Sequence, residues 1–110
     1  MAYDEDLANR IRELLGEERG VEEKAMFGGL AFLINGNMSV AASRQGGLLV
    51  RVPPDDTEKL LARDHVETMV MGGREMRGWL HVAADGLKTK RQLQSWATRG
   101  VGYAKSLKPK

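Results

Sequence analysis

The residues able to do chemistry in this chain are few. His65 and His81 are its only histidines, and Asp85 follows His81 by four positions. A nucleophile–histidine–carboxylate relay would need Ser39, Ser43 or Ser95 to converge on His81 in space, and no spacing in the chain calls for it. His65 and His81 could share a metal ion, yet neither belongs to an HxxxH or HxH pair of the kind that places two imidazoles on one ion. With no cysteine in 110 residues, disulfides, thiol catalysis and thiolate metal sites are excluded together. The histidines therefore read as surface or hydrogen-bonded residues, and neither a catalytic residue, a metal site nor a cofactor is expected.

A second candidate is the glycine pair in EKAMFGGLAFLINGNMSV, residues 23–40. A phosphate-cradling loop needs backbone amides converging at a helix N-terminus, usually with a lysine after the glycines. Here Lys24 precedes the pair and the strand-like LAFLI follows it. The reading that fits is a tight turn between two strands.

The third candidate is charge. Residues 1–23 sum to −5, whereas residues 86–110 carry seven cations and no acid. Lys88, Arg91, Arg99 and Lys105 would lie together on the outer face of a C-terminal helix, where they could follow a phosphate backbone with strong salt dependence. The alternatives are a solvated face, or attraction to the acidic N-terminal segment. Trp96 falls on the apolar side of that helix, which favours core packing over base stacking. Met26, Met38, Met69, Met71 and Met76 lie near strands. Core filling is the favoured reading for these, although methionines also suit adaptable binding surfaces.

The elements that must position these residues follow from pattern. Tyr3, Leu7, Ile11 and Leu14 form one apolar stripe and predict a helix over 3–18, with Asp4, Glu5 and Asp6 in its first turn. Asn35-Gly36 between two apolar runs predicts a type I′ hairpin. In that register Leu33 faces Met38 and Ala31 faces Val40, while Leu30, Phe32 and Ile34 form the other face, opposite Ala41, Ser39 and Asn37. The first strand is thus apolar on both sides, and a helix or a second copy of the chain must cover the second side. Leu48–Val52 reads as a short strand stopped by Pro53-Pro54. Asp55 with Glu58 resembles a capping box for a short helix at 56–63. Residues 66–83 read as two strands about Gly72-Gly73, with a bulge at Gly78 beside Trp79. A final helix starts near Asp85 or Thr89 and buries Leu93, Trp96, Ala97, Gly100, Ala104 and Leu107. Gly100 and Gly102 each weaken it by about 1 kcal/mol relative to Ala, which suggests close backbone packing or a frayed end.

The order α-β-β-β-β(short)-α-β-β-α describes one α+β domain over residues 1–110, with helices packed on an antiparallel sheet. The acidic N-terminus has no export core, and the longest apolar run, Leu30–Ile34, is far short of a membrane span. A cytoplasmic protein is expected.

Three stretches, KAMFGGLAFLINGNMSV, GGREMRGWLHV and LQSWATRGVGYAKSLKPK, resemble the N-terminal domain of the TfoX/Sxy family, named for a bacterial regulator of natural competence. The matching motif residues are Met26, Phe27, Gly28, Gly29, Gly36, Gly78, Trp79 and Trp96. The resemblance runs from about residue 7 to the end. It implies an α+β domain similar to secretion-chaperone folds, commonly dimeric, with a link to transcriptional regulation through protein partners. It brings no agreed catalytic residues. The best-known members carry a second, helical domain, whereas this chain stops at Lys110.

The expectation is therefore a non-enzymatic regulatory or protein-interaction module, a homodimer with a further protein partner, using Leu30, Phe32, Ile34 and Met38 as its interaction surface. Nucleic-acid binding through the basic helix is the alternative, and a small-molecule-binding domain a more distant one.

Overall fold

The computed structural model describes residues 3–26, 29–44, 46–71 and 73–109, so the readings placed on Phe27, Gly28 and Gly72 lie outside the described residues. The elements are α1 (Glu5–Leu14), β1 (Val21–Met26), β2 (Gly29–Ile34), β3 (Asn37–Ala42), β4 (Leu48–Arg51), α2 (Thr57–Leu61), β5 (Val66–Met71), β6 (Arg74–Val82) and α3 (Lys90–Ser106). Single 3-10 turns precede α2 and α3. The six strands form one antiparallel sheet in the order β1-β2-β3-β4-β6-β5. This is the α+β architecture that the pattern predicts.

Helix α1 is shorter than the stripe suggests. Asp4 sits before the first turn as the N-cap, its carboxylate accepting from the amides of Asp6 (3.0 Å) and Leu7 (3.2 Å). The chain leaves the helix at Leu15, just ahead of Gly16. The expected Asp55–Glu58 box does not form: Asp55 lies in the 3-10 turn, and both carboxylates point to Arg77, at 3.6 and 3.4 Å. The true capping box opens α3, where Thr89 and Gln92 exchange side-chain-to-backbone bonds of 3.0 and 3.1 Å. That box satisfies two of the donors a helix start leaves orphaned.

The hairpin turn is as expected, with positive φ at Asn35 (54°) and Gly36 (84°). Leu33 pairs with Met38. Beyond that pair the register departs from the simple hairpin, because Ser39 is an extra residue between Met38 and Val40. Its hydroxyl donates to the Phe32 carbonyl at 2.8 Å. Phe32 therefore pairs with Val40, and Ala31 with Ala41. One inserted residue reverses which side chains share a face. A second irregularity falls where Gly78 predicts it: Thr68 pairs with Leu80 but Val70 with Glu75. Gly78 itself has φ +89° and donates its amide to Thr57 Oγ1 at 2.9 Å.

All three helices bury their apolar residues on one face of the sheet, against Leu30, Phe32, Ile34, Val40, Leu48, Val50, Leu80 and Val82. Gly100 is the point of closest approach, since a Cβ there would run into the carbonyl oxygen of Ser39. The glycine in α3 and the bulge in β3 thus occupy the same crossing point.

Candidate functional site

The sheet face turned away from the helices carries a smaller apolar cluster. Ala31, Met38, Ala41, Leu49 and Met69 are buried there, with Met26, Met76 and Trp79 half-buried against them. No helical residue belongs to this cluster. Of the expected interaction surface, only Met38 lies on this face. Leu30, Phe32 and Ile34 are a correction: they belong to the main core beneath the helices, with Phe32 and Ile34 wholly inaccessible. The helices, not a second copy, cover that side. The methionine reading divides in the same way, with Met38 and Met69 filling a core and Met26 and Met76 at its margin.

The sheet has two dissimilar edges. Edge strand β1 presents Glu22, Glu23 and Lys24 to solvent. Such charges blunt an edge against pairing with another chain. Edge strand β5 presents Val70, 62% exposed and the one large apolar side chain exposed among the described residues.

The basic C-terminal helix divides by flank. Lys105 bonds Glu18 at 2.6 Å, whereas Lys88, expected on this helix, lies outside it, ahead of the Thr89 N-cap and 3.7 Å from Asp85. Arg91 and Arg99 make no ion pair with the described residues and lie toward α2. There the Arg63 and Arg99 guanidiniums lie 5.5 and 5.7 Å from the Trp96 ring centroid. Arg51 lies 5.6 Å from the Tyr103 centroid and 5.3 Å from that of Trp79. Stacking occupies the face of a guanidinium and leaves its in-plane donors free. Trp96 is buried, so it holds arginines in place and offers no platform to a base. The sequence joined Lys88 and Lys105 to Arg91 and Arg99 by periodicity, whereas the fold separates them. It also adds Arg51 and Arg63, which lie far away in the chain and which no short-range pattern could have found.

Two cavities open on this flank. One of about 390 Å³ is lined by Arg63, His65, Arg91 and Ser95 beside Trp96. The other, of about 340 Å³, lies between the second half of α3 and the Val52–Leu60 segment. Arg99 is among the residues lining it, and its Nε is buried with no hydrogen-bond partner among the described residues.

Two of the residues weighed for catalysis are held by backbone carbonyls. His81 Nε2 bonds the Gly46 carbonyl at 2.8 Å, and Ser39 bonds Phe32. His65 has positive φ (68°), and its carbonyl accepts the Ala83 amide at 2.8 Å. The described residues contain no group of three or more His, Asp or Glu placed to hold a metal ion. None of their helices is long and apolar enough to cross a membrane.

The shifted titrations are peripheral to both cavities. Arg12 grips Glu23 through two bonds of 2.8 Å. That contact holds the Glu23 carboxyl below its usual range and raises Arg12. Glu58 is lowered first by its own backbone amide and then by Arg77.

Searches against curated proteins and against solved structures return no match for this chain. The family model of the TfoX N-terminal domain matches residues 13–104, which takes in the sheet, all of α2, most of α3 and only the end of α1. This chain belongs to the TfoX N-terminal domain family.

Proposed function

We propose that the domain is a non-enzymatic regulatory module of the cytoplasm that works by protein–protein contact, and that it self-associates through the β5 edge. The supporting observation is the contrast between the two edges: β1 exposes three charges in a row, Glu22, Glu23 and Lys24, while β5 exposes Val70 and one charge, Glu67. An open strand edge offers a row of unpaired amides and carbonyls to a second strand. Two copies joined β5 to β5 about a two-fold axis would extend the sheet and shelter Val70 in both. The helix-free face with Trp79, Met26 and Met76 then runs on across the pair as an adaptable surface for a further partner. Membership of the TfoX N-terminal domain family agrees with a regulatory role in general terms.

Sedimentation equilibrium across about two decades of concentration tests the self-association. Wild-type protein is expected to show a concentration-dependent dimer, and Val70→Lys a monomer with an unchanged circular dichroism spectrum. A wild-type monomer throughout, or a Val70→Lys dimer of equal strength, sinks the reading. Direct nucleic-acid binding has less support, since Lys88 and Lys105 are engaged by carboxylates and Trp96 is buried.

A further inference from the structure

The smaller cavity on the α2 flank combines three features that packing alone leaves unexplained. The first is Arg99. Its Nε–H is buried without an acceptor, and its guanidinium lies against Trp96. A buried donor left unpaired is costly, and most such donors in folded proteins have a protein, water or ligand partner. The second is Asp56, which lines the same cavity and forms no ion pair with any described residue, Arg99 included. A cation and an anion thus share one small cavity without neutralising each other.

The third is Gly102. It lies inside α3, where glycine disfavours the helix. Gly100, two residues earlier, is explained by its contact with Ser39, but a Cβ at Gly102 would meet nothing within 4 Å. Packing does not require a glycine there, and its bare backbone forms part of the cavity wall. The rest of the lining is mixed, with Pro53 and Tyr103 beside the buried Val52 and Leu60, and Thr98 and Ser106 adding hydroxyls. The volume, about 340 Å³, is in the range of small-molecule sites.

We infer that this cavity binds a small amphoteric ligand of the apolar α-amino acid class. Its carboxylate takes the terminal Nη donors of Arg99, its ammonium faces Asp56, and its side chain lies against Pro53 and Tyr103. Arginine suits the first task because its planar fork matches a carboxylate. None of the residues lining the site belongs to β5, and the site stands or falls independently of the dimer.

The test is a titration of ¹⁵N-labelled full-length protein followed by NMR, reading the Arg99 Nε–H and the Gly102 amide. L-Phenylalanine and L-leucine are the probes. L-Phenylalaninamide, which lacks the carboxylate, and 3-phenylpropionate, which lacks the amine, are the comparators. At least one amino acid is expected to shift both signals saturably. Each comparator is expected to bind at least about tenfold more weakly than L-phenylalanine, as loss of a charged hydrogen bond predicts. Arg99→Gln should abolish the shift of the Gly102 amide. Asp56→Asn should weaken L-phenylalanine and leave 3-phenylpropionate unchanged.

Gly102→Leu separates the site from the fold. It should raise the thermal midpoint, because leucine favours a helix, and at the same time block binding. The inference is overturned if neither amino acid shifts the two signals saturably, or if phenylalaninamide binds as well as phenylalanine. It is also overturned if Arg99→Gln and Gly102→Leu both bind like wild type.

Discussion

Helix α3 has cations on both its flanks and uses them differently. Toward α1, Lys105 reaches Glu18 at 2.6 Å, and Arg10 of α1 donates to the Leu87 carbonyl at 2.7 Å just ahead of α3. These contacts clip one element to another. Toward α2, Arg63 and Arg99 lie over Trp96 and Arg51 over Tyr103, and none of them forms an ion pair with a described residue. A lysine in an ion pair has spent its charge on structure, whereas a stacked arginine is held still with its donors pointing elsewhere. Charge on a flank therefore does not by itself mean availability, and the α2 flank is where a ligand finds unsatisfied groups.

The largest blow to this contrast is Trp96→Ala. It removes a buried side chain and the platform of two guanidiniums, and should cost about 3–5 kcal/mol in denaturant unfolding. A loss below about 1 kcal/mol would mean that the α2 flank is not held by the tryptophan. Next come the two glycines of α3, which should respond with opposite sign. Gly100→Ala must push the helix off the Ser39 carbonyl and should destabilise by about 1–3 kcal/mol. Gly102→Ala should stabilise by up to about 1 kcal/mol, since its methyl enters open space. Matching signs would remove the argument that only the first glycine serves packing.

Smaller still is Lys105→Met on the α1 flank. The pair with Glu18 is partly exposed, so a loss of about 0.2–1 kcal/mol is expected, shrinking in high salt. Ligand binding on the α2 flank should not change. The smallest effect concerns pH. The folded-state pKa of Glu23 is lowered by Arg12, so its contribution is fully present above the ordinary glutamate value. It is lost as the pH falls through the lower folded value. Glu23→Gln should therefore flatten the acid limb of the stability profile and leave neutral-pH behaviour nearly unchanged. An acid limb of undiminished slope would show that the Arg12 contact adds nothing.

The parts of this molecule that could be read from sequence are those fixed by neighbours in the chain. Asn35-Gly36 demands positive φ at both positions, and the turn is there. The stripe of Leu93, Trp96, Ala97, Gly100 and Ala104 is buried as periodicity requires. What escaped depends on partners far away. Ser39 is an ordinary strand residue until its hydroxyl finds the Phe32 carbonyl, and that bond moved Val40 to the helix side. With the register went the expected interaction surface of Leu30, Phe32 and Ile34. The candidate ligand site was equally hidden, because Asp56 and Arg99 come from segments whose adjacency only the packed fold creates. Gly100 and Gly102 read alike in sequence, and only the atoms around each distinguish a tight crossing from an open wall.

The extra residue in β3 works like a shifted reading frame. On one side of Ser39, Val40 and Ala42 point to the helices and Ala41 away; on the other, Met38 points away and Asn37 turns inward to bond the Lys108 carbonyl at 2.9 Å. Were Ser39 paired with Phe32 as a regular ladder residue, the register of the tip would put Val40 opposite Ala31 and turn Val40 and Ala42 away from the helices. The hairpin tip and its base are therefore set independently. Deleting Ser39 would leave Phe32 opposite Val40 and Leu33 opposite Met38 with both faces unchanged, and would remove only the bulge and its hydroxyl bond.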